Sequence, residues 1–244
     1  MESATLHKNL IPFDDTYVLY NGDDILSFGL VYFTLLPIFV MVFIFSWFIN
    51  TRELEACILA AGHVVNDIVN NIVKNIIKEE RPVELFGDDK SFQKNSNRSG
   101  YGMPSAHSQF MGFLTGYMVL RILFFWRFDK TFKGLMCKYI GLSLLIGSTL
   151  LVAFSRVYLQ YHSLKQVSVG VALGLFLGSS YFVVIQYIRR FGFCDWLMTL
   201  RISEFFAMKD SSYKGSKSLR NERKEWQERC RVETVPGVKG FKSD

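Results

Sequence analysis

At 244 residues, half of them hydrophobic, with 23 Phe, 18 Gly and a mean hydropathy of +0.18, the chain is too apolar and aromatic for an ordinary water-soluble domain. It reads as a polytopic membrane protein. The formal net charge of +6 is crowded into the two ends and a few connections, so no segment supplies the basic face that a nucleic-acid partner needs.

Residues 1–27 form an acidic segment without the basic-then-apolar layout of a cleavable leader, which leaves targeting to the first span. That span is predicted over 28–49, a run of 22 residues without a charge, where a hydrocarbon core needs roughly 20 helical residues. A second helix is predicted over 54–77. Its polar residues His63, Asp67, Asn70, Lys74, Lys78 and Arg81 follow steps of four and three, which makes one stripe facing a polar interior. A third covers 105–126, with Pro104 as its first helical residue and Arg121 reaching an interface. The uncharged runs 139–155 and 167–188 complete about five spans. The last of these carries Gly170, Gly174 and Gly178 at the spacing that lets helix backbones approach closely. Arg189 and Arg190 close it. The expected fold is therefore an all-α transmembrane bundle over 28–190, followed over 191–244 by an interfacial helix and a basic tail. The helix, over 193–208, puts Phe193, Trp196, Leu197 and Leu200 on one face. From Lys209 on, ten basic and six acidic residues read as a solvated tail that touches anionic lipid. Cys57, Cys137, Cys194 and Cys230 lie far apart, without the spacing of a zinc site or disulfide framework.

With five spans, the end of the second, the start of the third and the end of the fourth fall on one side. They read KNIIKEERP (74–82), PSAH (104–107) and SRVYLQYH (155–162). Lys74 and Arg81 stand two helical turns apart, about 10 Å, a separation that two long side chains can close around an anion. In PSAH, the first-turn N–H groups, that of Ala106 among them, and the Ser105 hydroxyl offer donors to the same anion. His107 sits on that turn, Arg156 adds a fixed charge, and His162 is near enough to reach what Arg156 holds. Three cations, a helix N-terminus and two histidines suit a phosphate ester. The set contains no carboxylate cluster for a divalent metal, and no cofactor is expected.

The ordered patterns K-x6-R-P, P-S-x-H and S-R-x5-H resemble the type 2 phosphatidic acid phosphatase superfamily. IPFDDTYVLY, TRELEAC, RSGYGMPSAHSQFMGF and SRVYLQYH resemble its dolichyl diphosphate phosphatase branch, over most of residues 11–190. The resemblance implies that His162 attacks phosphorus to form a phosphohistidine and that His107 protonates the leaving oxygen and then activates water. It assigns Lys74, Arg81, Ser105, Ala106 and Arg156 to the phosphoryl oxygens, with no metal. Two positions depart from the wider superfamily, which usually has glycine at Ala106 and aspartate at Gln166. Gln166, four residues after His162, can still hold the ring's Nδ1–H and fix the tautomer, but it brings no charge.

The implied reaction is hydrolysis of dolichyl diphosphate to dolichyl phosphate and inorganic phosphate, recycling the lipid carrier of protein N-glycosylation. The expected partners are that lipid diphosphate and the surrounding membrane lipids. Arg127, Lys130, Lys133, Lys138, Arg189 and Arg190 mark the opposite face as cytosolic. For this branch that implies the endoplasmic reticulum membrane, with the site facing the lumen. The rival readings are a phosphatase for another lipid phosphate or polyprenyl diphosphate, and a non-catalytic lipid-phosphate binder or scramblase. Two retained histidines argue against the second, because binding alone needs cations and donors.

Overall fold

A computed structural model of the chain describes Val18 and residues 23–82, 101–125 and 131–211. The readings placed on Arg127, Lys130 and the tail beyond Ser211 fall outside these residues, as do IPFDDTYVLY apart from Val18 and the start of RSGYGMPSAHSQFMGF.

Asp24 starts the first helix, its carboxylate accepting the Leu26 N–H at 3.0 Å. Helices α1 (Ile25–Thr34) and α2 (Leu36–Thr51) make one apolar rod interrupted at Leu35, because Pro37 has no N–H to return to the preceding turn. Arg52, in left-handed backbone at φ 57°, ends it. Then follow α3 (Leu54–Ile77), α4 (Ala106–Phe124), α5 (Phe132–Tyr158) and α6 (Leu164–Arg190), with two short helices, α7 (Phe193–Met198) and α8 (Arg201–Phe205). Among the described residues there is no β-strand, only an isolated bridge between Glu53 and Lys209.

Among the described residues, four segments are long and apolar enough to cross a membrane: Ile25–Thr51, α3, α5 and α6. A further long helix, α4, is the core. Its 19 residues, about 28 Å at the helical rise, bury Ser108, Gln109, Thr115 and Tyr117 along with Met111, Phe113 and Leu114. Polar groups are tolerated there because protein, not lipid, surrounds them. The all-α bundle of about five spans is thus the observed architecture.

Helices α4 and α6 pack backbone against backbone through glycines on both sides. A Cβ at Gly112 would stand 2.6 Å from the Val171 carbonyl oxygen, and one at Gly116 2.6 Å from that of Leu175. From the other side, Gly174 and Gly178 lie against the carbonyls of Gln109 and Phe113, and Gly170 against that of Ser105. The contacts advance in the same direction along both helices, so α4 and α6 run parallel with their N-termini side by side. Hydroxyl pairs stitch the other helices on: Thr115 to Thr149 at 2.7 Å and Thr34 to Ser155 at 3.1 Å.

The opposite end of the bundle closes on Glu55, which is almost wholly buried. It takes Tyr117 Oη–H at 2.5 Å and pairs with Arg121 at 2.9 Å and Arg189 at 2.6 Å. Two readings change here. Arg121 does not reach an interface but turns inward, because a buried carboxylate one helix away is a better partner than lipid headgroups. Lys209 and Asp210 are not the start of a solvated tail: Lys209 exchanges backbone hydrogen bonds with Arg52 and Leu54, and Asp210 pairs with Arg189 at 2.6 Å. The predicted surface helix is likewise two short helices, with Phe193 and Trp196 exposed.

Gly174→Val forces β-branched bulk into the Gln109 backbone and should cost on the order of 3 kcal/mol. The expected result is a large fall in the thermal midpoint in detergent, while Gly147→Val, with nothing within 4 Å of its Cβ position, leaves that midpoint near wild type.

Candidate active site

Helix α3 ends at Ile77, the predicted bound, so the last two residues of the expected stripe, Lys78 and Arg81, lie beyond it. Lys78 takes a left-handed conformation at φ 54°, its N–H closing on the Lys74 carbonyl at 2.9 Å, and the chain leaves the helix before Arg81. Lys74 therefore stands in the last turn of α3 and Arg81 beyond its end, so the two do not lie along one helix face. The polar stripe also shifts. Asn66 and Asn70 are buried, whereas Asp67, turned about 100° from Asn66, is exposed and bonds Asn71. His63 is buried against the Phe110 ring, centroids 3.9 Å apart, away from the polar cluster.

Asn66 and Asn70 hold the start of α4. Asn70 donates to Gln109 Oε1 at 2.7 Å and to the Pro104 carbonyl at 3.4 Å, and Gln109 Nε2 returns to Asn66. Ser105, in extended backbone, is the N-cap of α4, so Pro104 lies outside the helix instead of starting it. The Ser105 N–H is taken by the Gln166 carbonyl at 3.2 Å. Its hydroxyl accepts from Ser108 at 3.1 Å and makes no capping bond, which leaves the first-turn N–H groups, Ala106 and His107 included, without a side-chain cap.

The third motif folds back on itself at the end of α5. The Arg156 carbonyl accepts the N–H groups of Tyr161 and His162, and the Arg156 guanidinium lies 4.0 Å from the Tyr161 ring centroid. Ser163 then caps α6 in a capping box with Gln166: Gln166 N–H donates to the Ser163 hydroxyl at 3.2 Å, and Ser163 N–H to the Gln166 amide oxygen at 3.3 Å.

Gln166 is buried and its orientation is determined by its neighbours. Its Nε2 donates to the Glu80 carbonyl at 2.7 Å and to Glu79 Oε1 at 3.2 Å, both of which only accept. Its oxygen must then face His162 Nδ1, 3.2 Å away, and Nδ1 must carry the proton. The bare ring nitrogen of His162 is Nε2. Burial, then Arg156 and Arg81, hold this imidazole well below the ordinary histidine range, against the raising effect of the Gln166 bond. His162 is thus a neutral imidazole of fixed tautomer. Arg156, Arg81 and Lys74 lie within electrostatic range of His107, and His107 of His162, which groups the five side chains at one polar end of the bundle.

Sequence reasoning missed several contributors. Glu79 and Glu80, within KEERP, were assigned no role. Ser163 was legible as the first residue of S-x-x-Q, the capping-box signature. Gly102 carries no chemistry, but a Cβ there would meet both polar atoms of the Gln166 amide at 2.7 Å and Arg81 Cγ at 2.9 Å.

A helical membrane bundle with paired histidines, three cations and an uncapped helix turn at one end defines a class of phosphoryl-handling membrane proteins. Residues 55–190 match the PAP2 superfamily. The chain is 48% identical over 205 residues to the dolichyldiphosphatase of Saccharomyces cerevisiae, covering 84% of this chain and 83% of that one. It is 34% identical over 201 residues to dolichyldiphosphatase 1 of Mus musculus, covering 81% and 80%. The fold resembles the crystal structure of a transmembrane PAP2-type phosphatidylglycerolphosphate phosphatase from Bacillus subtilis, with a TM-score of 0.52 and 21% identity over 68% of this chain and 79% of that one. The chain belongs to the PAP2 superfamily, in its dolichyldiphosphatase branch. It is a multi-pass membrane protein.

Gly102→Ala should push the Gln166 amide off His162 while sparing the glycine contacts between α4 and α6. Activity on a lipid diphosphate is expected to fall at least tenfold, by the sensitivity of reacting groups to displacements of about 1 Å, with the thermal midpoint little changed.

Proposed function

We propose that this protein hydrolyses dolichyl diphosphate to dolichyl phosphate and inorganic phosphate. The observation that carries the reading is a buried His162 of fixed tautomer, with His107, Lys74, Arg81 and Arg156 grouped in electrostatic range at the same end of the bundle. The activity for which its relatives are named supplies the substrate. By family resemblance, His162 Nε2 attacks the terminal phosphorus and the phosphoanhydride bond breaks. Dolichyl phosphate leaves with a proton from His107, and water activated by His107 then cleaves the P–N bond. Fixed cations, the Ser105 hydroxyl and the first-turn N–H groups at Ala106 and His107 meet the charge on the transferring phosphoryl group, the task that metal ions perform elsewhere.

The membrane is that of the endoplasmic reticulum in this reading, with the pocket facing the lumen and the Arg189 end in the cytosol. The basic residues after the last span favour that orientation. The product is the lipid carrier of protein N-glycosylation, returned to its monophosphate form. In domain terms, an N-terminal lumenal segment (1–27) precedes the phosphatase bundle (28–190) and a cytosolic end (191–244).

The test is phosphate release from dolichyl diphosphate by the purified protein in detergent with EDTA, beside His162→Ala and a dolichyl monophosphate control. Release by wild type, none by the variant and little from the monophosphate is the expected result. Loss of release in EDTA, or release by the variant, would sink the mechanism. The same assay yields a pH prediction. The nucleophile must be neutral, and its folded pKa lies well below the ordinary value of about 6.5, so the acid limb of kcat/KM should fall below pH 6.5.

A further inference from the structure

Glu79 is unassigned by the reaction above, yet it is held more firmly than a loop carboxylate needs to be. Its backbone carbonyl accepts the Gly102 N–H at 2.7 Å. One carboxylate oxygen takes Lys165 Nζ at 2.8 Å and the other takes the Gln166 amide at 3.2 Å. The blander account is a surface ion pair that pins the segment after α3, and Lys165, 69% exposed, suits that account. It leaves the second oxygen unexplained, because that oxygen meets the same amide that bonds the active-site histidine.

The chain of contacts runs Glu79 Oε1 to Gln166 Nε2–H, then Gln166 Oε1 to His162 Nδ1–H. A carboxylate beside an amide N–H draws its proton outward and pushes electron density onto the amide oxygen, so the two hydrogen bonds reinforce each other. The Lys165 and Gln166 bonds also hold Glu79 below the usual carboxylate range, which keeps it anionic across working pH. The wider superfamily resemblance puts a carboxylate directly at position 166. Here the charge stands one residue further out.

We propose that Glu79 is a positioning residue that polarises His162 through Gln166, so that a carboxylate–amide–imidazole relay does the work of a direct carboxylate–imidazole pair. The proposal rests on His162 being the nucleophile. The relay stabilises the cationic imidazole that forms as Nε2 bonds to phosphorus, an effect felt in the transition state more than in substrate binding. Arg156, Arg81 and His107 face His162 in the pocket and disfavour its cationic form, the Gln166 bond favours it, and Lys165 faces Glu79 from outside. The relay thus works against the pocket's own positive field.

The experiment uses the full chain in detergent with dolichyl diphosphate labelled in its terminal phosphate. It compares wild type, E79Q, Q166E and E79Q/Q166E, reading kcat, KM, the pH profile and quench-trapped phosphoenzyme, with H162A as blank. E79Q should lower kcat about tenfold with KM within about twofold, and slow phosphoenzyme formation. Its acid limb should move to lower pH, since removing a negative influence lowers the His162 pKa further. Q166E alone sets two carboxylates against each other and should be impaired. The double variant E79Q/Q166E moves the charge one place inward, with an amide at position 79 donating to a carboxylate at position 166, and should exceed Q166E in kcat at least fivefold.

An E79Q protein with wild-type kcat and pH profile overturns the relay and leaves Glu79 a structural pin. So does a double variant no faster than Q166E, a comparison that does not depend on the single E79Q protein folding. Failure of the underlying reading looks different: wild type would then form no phosphoenzyme above the H162A blank.

Discussion

Everything at the polar end of this bundle depends on how closely α4 and α6 approach. Without side chains at Gly112, Gly116, Gly170, Gly174 and Gly178, one backbone lies directly on the other, and the carbonyls of Gln109 and Phe113 occupy space that any Cβ would need. Lipid tails offer no hydrophobic drive for helices to associate, so contact area and close packing must supply it. The same approach sets the register at the helix starts, where the Ser105 N–H meets the Gln166 carbonyl at 3.2 Å. His107, on the first turn of α4, and the His162–Gln166 pair at the start of α6 are neighbours because of that register.

Parallel packing has an electrostatic cost that the rest of the structure answers. Two helix N-termini side by side concentrate positive potential, and Lys74, Arg81 and Arg156 add to it, so the pocket is poised for an anion. At the far end two C-termini concentrate the opposite sign. Arg121 and Arg189 stand in the last turns of α4 and α6, and Glu55, in the first turn of α3, bridges both. Each charge in that cluster sits at the helix end whose dipole favours it. The strap from Lys209 to Asp210 completes the cluster by giving Arg189 a second carboxylate.

Much of this was legible in the sequence, and the exceptions share a cause. Charge-free runs of about 20 residues and ordered motifs at their ends are local patterns, and they located the helices and the candidate pocket. Glycines at four-residue spacing marked the α6 contact. Glu55, Glu79 and Gly102 were missed because their roles are pairings with residues dozens of positions away, and nothing in KEERP or TRELEAC distinguishes a buried carboxylate from an exposed one. Arg121 was misread for the same reason. The bounds of α3 were legible, but the polar stripe was carried past its end to Arg81, because the stop is a left-handed Lys78, a conformation that lysine does not advertise.

The glutamine at 166 follows from the same electrostatics. In the proposed reaction the cations must be available to the substrate, and a carboxylate in direct contact with His162 would sit within the field of Arg156 and Arg81 and compete with the phosphoryl oxygens for them. A neutral amide avoids that competition. It still orients the ring, because both acceptors behind it allow only one amide orientation and hence only one histidine tautomer. On the proposed relay, moving the carboxylate outward to Glu79, where Lys165 partners it, leaves the positive charge around His162 to the substrate and keeps a route by which negative charge would steady the imidazolium in the transition state. With the proposed substrate the weaker coupling is tolerable: a phosphate monoester departs from phosphorus more readily than an alkoxide, so less push from His162 would be required.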